Sequence, residues 1–306
     1  MIGGETTMLD TFRDRVVRHP DRVALEELAA GGAQRDTRLT WRQWHELSTR
    51  VARALLRDGV RAGDTVAILA GNRNLWPIAD LGVLMAGAVS VGVYVTSPAA
   101  QIVQQLGDCG AVAAIVDSTE QLAKLLEARG ELPELRLIVC EDGASNGARW
   151  WGEWLGDAMA TDTPLPDPAP DDIALLIYTS GSTGEAKGAR IPHRYLSASA
   201  ASVRETLGLG ERDSSLSFLP YCHAGERIFG LYTRILCGMT AGHVADPAKL
   251  WDAAVAFEPT LFGGLPRWFE KLHESLLLHE HALGADERAQ WQSAIELGRE
   301  RSGFRR

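Results

Sequence analysis

Apolar positions along the chain alternate between two periods, and that alternation predicts the elements. From Trp41, the side chains Trp44, Leu47, Val51, Ala54 and Leu55 recur every three or four residues, which gives one helical stripe that Gly59 ends. Asp64–Ala70 (DTVAILA) reads as a short buried strand, and Gly71–Asn74 as a turn. Helical spacing returns over Pro77–Met85 and again over Gln101–Leu106. Val89–Val95, Ala111–Asp117 and Leu135–Cys140 are β-branched and apolar, so they are read as strands. Strands apolar on both faces, separated by helices, predict an α/β fold of layered parallel sheets flanked by helices.

Beyond Ala160 the chain changes character. Residues 161–172 (TDTPLPDPAPDD) are rich in proline and aspartate, which favours an extended linker or surface crossover. The expected organisation is therefore a first α/β subdomain over 1–160, a linker over 161–172 and a second α/β subdomain over 173–306. In the second, Ile173–Tyr178 and Ser215–Leu219 read as strands, Tyr195–Leu207 and Glu226–Leu236 as helices, and Pro192 as a first-turn residue. Pro259–Gly264 reads as a strand and turn, followed by a helix over Arg267–Leu278 and a polar helical tail. Trp268 and Phe269 are expected in the core.

A formal net charge of −9 argues against nucleic acid as a partner, although a local basic cleft remains compatible with it. Cys109, Cys140, Cys222 and Cys237 form no CxxC or zinc spacing and read as reduced thiols of a cytoplasmic protein. The N-terminus lacks the apolar core of a signal peptide, and the longest apolar run, Leu81–Val95, is too short and glycine-rich to span a membrane.

The chemistry concentrates in Tyr178–Gly188, YTSGSTGEAKG. A Walker loop fails here twice: Ala186 stands where the second glycine belongs, and Gly188 where a hydroxyl must follow the lysine. The residue types still suit phosphate. Gly181 and Gly184 let backbone N–H groups converge on an anion, Thr179, Ser180, Ser182 and Thr183 add hydroxyl donors, and Lys187 adds charge. A plain Gly/Ser surface turn with an incidental lysine fits the tetrapeptide GSTG equally well.

The longer string YTSGSTGEAKGARIPH closely resembles the phosphate-binding motif of the adenylate-forming superfamily, [YF]-T-S-G-[ST]-T-G-x-P-K-G, with Ala186 in place of the usual proline. Ser217–Gly230 (SFLPYCHAGERIFG), Gly71–Ile102 and Pro259–Glu274 resemble further motifs of its long-chain fatty acyl-CoA synthetase branch, in the family's order. The resemblance implies the large N-terminal domain of such an enzyme, truncated before its end and without the C-terminal lid domain. It implies that Thr179, Ser180, Gly181, Ser182, Thr183, Gly184 and Lys187 hold the ATP phosphates, and that His223 and Glu226 lie at the acyl and adenylate pocket. For His223 the alternative is a loop histidine held by backbone, and for Glu226 and Arg227 a structural ion pair. His193 is read as structural support.

ATP, Mg2+ and coenzyme A follow as cofactor and co-substrates, with a fatty acid or other carboxylic acid as substrate. Peripheral membrane contact and a partner chain supplying the missing C-terminal part are compatible with the resemblance. No protein residue is assigned as a metal ligand, and no catalytic set is complete: the Y-G-x-T-E motif does not occur in the 306 residues. The expected activity is ATP-dependent formation of acyl-AMP and then acyl-CoA by a longer enzyme, this chain alone being inactive. The alternatives are a non-catalytic nucleotide-binding remnant and a fatty acyl-AMP ligase.

Overall fold

The computed structural model describes residues 6–28, 35–143, 147–158, 163–180 and 186–302. It contains two compact units, Met1–Phe262 and Gly263–Arg306.

The first unit opens with α1 (Met8–Arg18), whose N-terminus is closed by reciprocal bonds between Thr7 and Asp10. Strands β1 (Val23–Leu28) and β2 (Arg35–Thr40) form an antiparallel pair that the apolar pattern had not predicted. Thr40 and Gln43 then cap α2 (Trp41–Arg57) in the same reciprocal way. The chain alternates through β3 (Thr65–Leu69), α3 (Leu75–Met85), β4 (Val89–Gly92), α4 (Ala99–Asp108), β5 (Ala111–Val116), α5 (Thr119–Ala128), β6 (Leu137–Cys140), β7 (Arg149–Trp150) and α6 (Trp151–Asp157). After the proline-rich stretch come β8 (Ile173–Ser180), β9 (Ala186–Pro192), α7 (His193–Leu207) and β10 (Ser214–Ser217). A π-helix (Gly225–Tyr232), α8 (Thr233–Cys237), β11 (Thr240–His243) and α9 (Leu250–Phe257) complete the unit.

Two sheets result. The larger has the order β7-β6-β5-β3-β4-β8-β9, parallel except for β9; the smaller has the order β10-β11-β1-β2, parallel except for β2. The layered α/β architecture expected from the pattern is present, with an antiparallel strand at one edge of each sheet. β8, beyond the proline-rich stretch, pairs with β4 before it (Ser90 beside Leu175), so the larger sheet continues across that stretch.

Alternation along β3 explains why its sheet is covered on both faces. Val66 and Ile68 join one apolar cluster and Ala67 and Leu69 the other. The first cluster is closed by α2 and α3, which approach so tightly that a Cβ on Gly82 would lie 2.4 Å from Val51 Cγ1. Trp44 and Ser48 donate to the carbonyls of Pro77 and Ile78 (3.2 and 3.0 Å), satisfying acceptors inside an otherwise apolar contact.

Several local expectations change. β4 ends at Gly92 rather than Val95, because the chain turns and Ser97 donates to the Tyr94 carbonyl (2.9 Å). Pro192 is extended and stands just before α7, which begins at His193. The helix predicted over Glu226–Leu236 starts as a π-helix. In the second unit, α10 (Pro266–Ala282) and α11 (Ala285–Ser302) are two helices, and α10 has no buried residue. Trp268 is accordingly half-buried and Phe269 exposed, not core as expected. No helix among the described residues is long and apolar enough to cross a membrane.

Candidate functional site

Ligands of open α/β sheets sit outside the carboxyl ends of the strands, and here the carboxyl ends of two sheets are tied together. Asn72, in the turn after β3, donates its Nδ2 to Ser217 Oγ (3.0 Å) and to the Leu219 carbonyl (2.7 Å) at the end of β10. Asn74 donates its backbone N–H to Glu27 Oε1 (2.6 Å) on β1. The Gly71–Asn74 turn thus joins the two edges. The strand after it comes equally close: a Cβ on Gly92 would lie 2.7 Å from the Cys222 Cα, so only glycine leaves room for the Pro220–Ala224 segment.

The motif read as phosphate-binding begins at the end of β8 and resumes at the start of β9. Thr179 pairs with Lys187 and Ser180 with Ala186, which closes the ladder directly around residues 181–185. The side chains of Thr179 and Lys187 are exposed at this mouth, and among the described residues the Lys187 ammonium has no hydrogen bond or ion pair. Gly181, Ser182, Thr183 and Gly184 lie outside the described residues, as does the side chain of Ser180. At the root of the hairpin, Tyr178 donates to Asp108 Oδ2 (2.5 Å); burial and that bond hold the phenol above its usual pKa.

His223 is exposed on its turn, with Nδ1 accepting from the Gly225 N–H (3.0 Å). Glu226 is 4% exposed and does not pair with its neighbour Arg227. It accepts from Arg234 Nη1 (2.6 Å), and burial, opposed by that guanidinium, pushes its carboxyl up. A Cβ on Gly230 would come within 2.9 Å of Glu226 Oε1, so this glycine makes space for the pair. Arg234 also donates to Ser215 Oγ (2.7 Å) and the Leu216 carbonyl (3.0 Å).

Arg227 takes a different partner. It is fully buried, hydrogen-bonds Asp80 Oδ1 and Ser90 Oγ, and lies 4.9 Å from the centre of the Trp76 ring. Tyr232 donates to the other Asp80 oxygen (2.6 Å). Arg227 and Tyr232 are five residues apart, the hydrogen-bond span of a π-helix, which brings them to the same side so that both reach one carboxylate. The ER dipeptide is therefore split between two buried ion pairs: Arg227 ties the π-helix to α3 and, through Ser90, to the larger sheet, while Glu226 holds Arg234 on α8, which bonds β10 of the smaller sheet.

His193, read as structural support, is 1% exposed, and burial lowers its pKa. Asp80, Tyr232, Arg234 and His243 were missed by sequence reasoning. A usable signal existed for Asp80: a lone acid inside the apolar helix LWPIADLGVLM requires a buried partner. No local signal marked His243, whose partners come from distant segments. All four cysteines are free.

A second set of charges lines the carboxyl ends of β3, β5 and β6. Asp117 accepts from the Gly71 N–H (2.8 Å), and Glu141 lies 3.2 Å from Arg73. Burial pushes Glu141 up to about 7, with Arg73 opposing and Glu27, Asp117 and Asp142 reinforcing the rise. Among the described residues no three His, Cys, Asp or Glu side chains come together as a metal-binding group.

Residues 12–298 match the family described as AMP-binding enzyme. The chain belongs to that family. Among its relatives, the long-chain-fatty-acid–CoA ligase ACSBG2 of Xenopus laevis is 27% identical over 88% of this chain and 38% of its own length. The long-chain-fatty-acid–CoA ligase FadD15 of Mycobacterium tuberculosis is 30% identical over 81% of this chain and 43% of its own. The chain thus spans about two fifths of the length of these relatives. Among solved structures, a putative long-chain-fatty-acid CoA ligase from Rhodopseudomonas palustris CGA009 superposes with a TM-score of 0.74 at 26% identity, covering 86% of this chain and 64% of that one. The anthranilate CoA ligase AuaEII in complex with anthranoyl-AMP shares the fold, with a TM-score of 0.78 at 23% identity over 85% of this chain and 50% of its own.

Proposed function

We propose that this chain supplies the phosphate-holding part of an enzyme that activates a long-chain fatty acid with ATP, forming acyl-AMP and then acyl-CoA. The observation that carries the reading is the β8–β9 pairing, in which Thr179 stands opposite Lys187 and the Lys187 side chain is exposed with no partner among the described residues. In-line attack of a carboxylate on the α-phosphate demands positioning and charge neutralisation rather than covalent help from the protein. Lys187 supplies a fixed positive charge, and Thr179 with Ser180, Ser182 and Thr183 supplies hydroxyl donors around Gly181 and Gly184. His223 lines the acyl and adenylate side from its exposed turn. Glu226 supports that side through Arg234 rather than by contact with substrate. ATP arrives with magnesium as its counter-cation, and no residue here is assigned to the metal.

The test uses the chain joined to the family segments that carry the Y-G-x-T-E motif and the lid. Pyrophosphate release that depends on both ATP and a long-chain fatty acid supports the reading; release with neither acid nor chain-length dependence sinks it. Acyl-AMP that accumulates without transfer to coenzyme A would instead assign a fatty acyl-AMP ligase.

A further inference from the structure

Three buried polar side chains beneath the His223 turn have no role in the proposed chemistry. Tyr221 OH lies 2.7 Å from His243 Nε2, and His243 Nδ1 lies 3.0 Å from Asn74 Oδ1. Tyr221 and His243 are each 1% exposed and Asn74 is 5% exposed. Asn74 Nδ2 is turned toward the Thr37 carbonyl (3.5 Å), which leaves its Oδ1 as the acceptor. The hydrogen bonds then have one consistent direction: Tyr221 donates to Nε2, and Nδ1–H donates to Asn74. His243 is neutral in this arrangement, and burial together with the nearby Arg234 charge lowers its pKa to about 3.

The location gives this chain its meaning. His243 ends β11, which lies between β10 and β1, and is in register with Ser217 on one side and Glu27 on the other. Asn74 ends the turn after β3, and Tyr221 stands two residues before the exposed His223. The turn itself has few bonds of its own: His223 N–H to the Pro220 carbonyl (2.9 Å), and Gly225 N–H to His223 Nδ1. Tyr221 also stacks on Trp76, with ring centroids 5.0 Å apart. An apolar side chain would fill the same space without a direction. The hydroxyl instead selects one position for the turn, because a displaced Tyr221 leaves a buried imidazole nitrogen unpaired.

We propose that Tyr221, His243 and Asn74 form a positioning relay that fixes the Pro220–Gly225 turn, and through it the His223 imidazole, against the joined carboxyl edges of the two sheets. The relay rests on the reading of His223 as a pocket residue only for its effect on ligand affinity. Its geometry is tested separately.

Three measurements on the intact chain decide it. Long-range 1H–15N spectra of the wild type should show His243 protonated at Nδ1 and bare at Nε2 between pH 5 and 8; the opposite tautomer, or an imidazolium, overturns the relay. Tyr221→Phe keeps the Trp76 stack and removes only the hydroxyl. It should raise amide exchange at Gly225 about tenfold relative to amides of α2. It should also weaken calorimetric binding of hexadecanoyl sulfamoyladenosine, a stable acyl-adenylate mimic, by about tenfold. In a His223→Ala background the same substitution should cost no further affinity. Unchanged exchange at Gly225 overturns the proposal. Raised exchange together with full affinity in His223→Ala upholds the relay and sinks the pocket reading of His223.

Discussion

The floor under the Pro220–Gly225 turn and the mouth of the β8–β9 hairpin treat charge in opposite ways. Under the turn, Asp80–Arg227 and Glu226–Arg234 are buried pairs; Tyr232 also donates to Asp80, and the arginines also donate to Ser90 and Ser215 respectively. At the hairpin mouth Lys187 is exposed with no partner among the described residues. A buried pair costs desolvation energy and is tolerated only when its geometry is fixed by many bonds. An exposed lysine keeps its hydration and is free to meet an anion. One side of the candidate site therefore has its charges fixed inside the fold, and the other presents an exposed charge with little stability at stake.

The sharpest way to break that contrast is Asp80→Ala. It leaves Arg227 buried without its carboxylate, and chemical denaturation should register a loss of about 3–5 kcal/mol. A loss below about 1 kcal/mol would mean that the floor is not held by this pair. Gly92→Ala should cost about 1–3 kcal/mol by overpacking, since the new methyl meets backbone rather than a flexible tip. Unchanged stability would show that the Cys222 segment can yield.

The pH dependence separates two groups of opposite sign, the buried His243 and the half-buried Glu141. His243 has a folded pKa of about 3 against a usual 6.5, so the unfolded chain takes up the proton first; stability falls as pH drops from 6.5 towards 3. Glu141 has a folded value of about 7 against 4.5, so the folded chain holds the proton; its contribution is present below pH 4.5 and is lost as pH rises through 7. Relative to wild type, Glu141→Gln should gain stability as pH rises from 4.5 to 7, by up to about 1.4 kcal/mol per pH unit. His243→Gln should gain in the reverse direction, as pH falls below 6.5. Parallel slopes for the two variants would refute the assignment.

The smallest expected effect on folding belongs to Lys187→Ala, within about 0.5 kcal/mol by thermal or denaturant unfolding. In the completed enzyme, calorimetry should instead find ATP bound about tenfold more weakly, with acid binding less affected. Equal loss of both ligands would point to a folding defect and erase the contrast with the floor.

Much of the larger sheet was legible because its signals are local. β3 and β5 are buried on both faces and read as continuous apolar runs, and the α2 stripe is a 3.6-residue repeat. β9 was not legible, because AKGARIP carries no regular alternation and becomes a strand only through its ladder to β8. The smaller sheet was obscured for the same reason: Ser215–Leu219 read as a strand, but its neighbour β11 is a four-residue segment whose other partner, β1, lies about 200 residues away.

The amino-acid sequence by itself determined the α/β class and the spacing of glycines, hydroxyls and lysine in the phosphate motif, since both depend on residues close in the chain. Only the tertiary structure decided which charges pair. Glu226 and Arg227 are adjacent, yet the π-helix turns them to Arg234 and Asp80 respectively. Tyr221, His243 and Asn74 acquire their hydrogen bonds only where two sheets meet. The physical reason is that a buried polar group must be satisfied by whatever the fold brings within about 3 Å, and separation along the chain does not encode that distance.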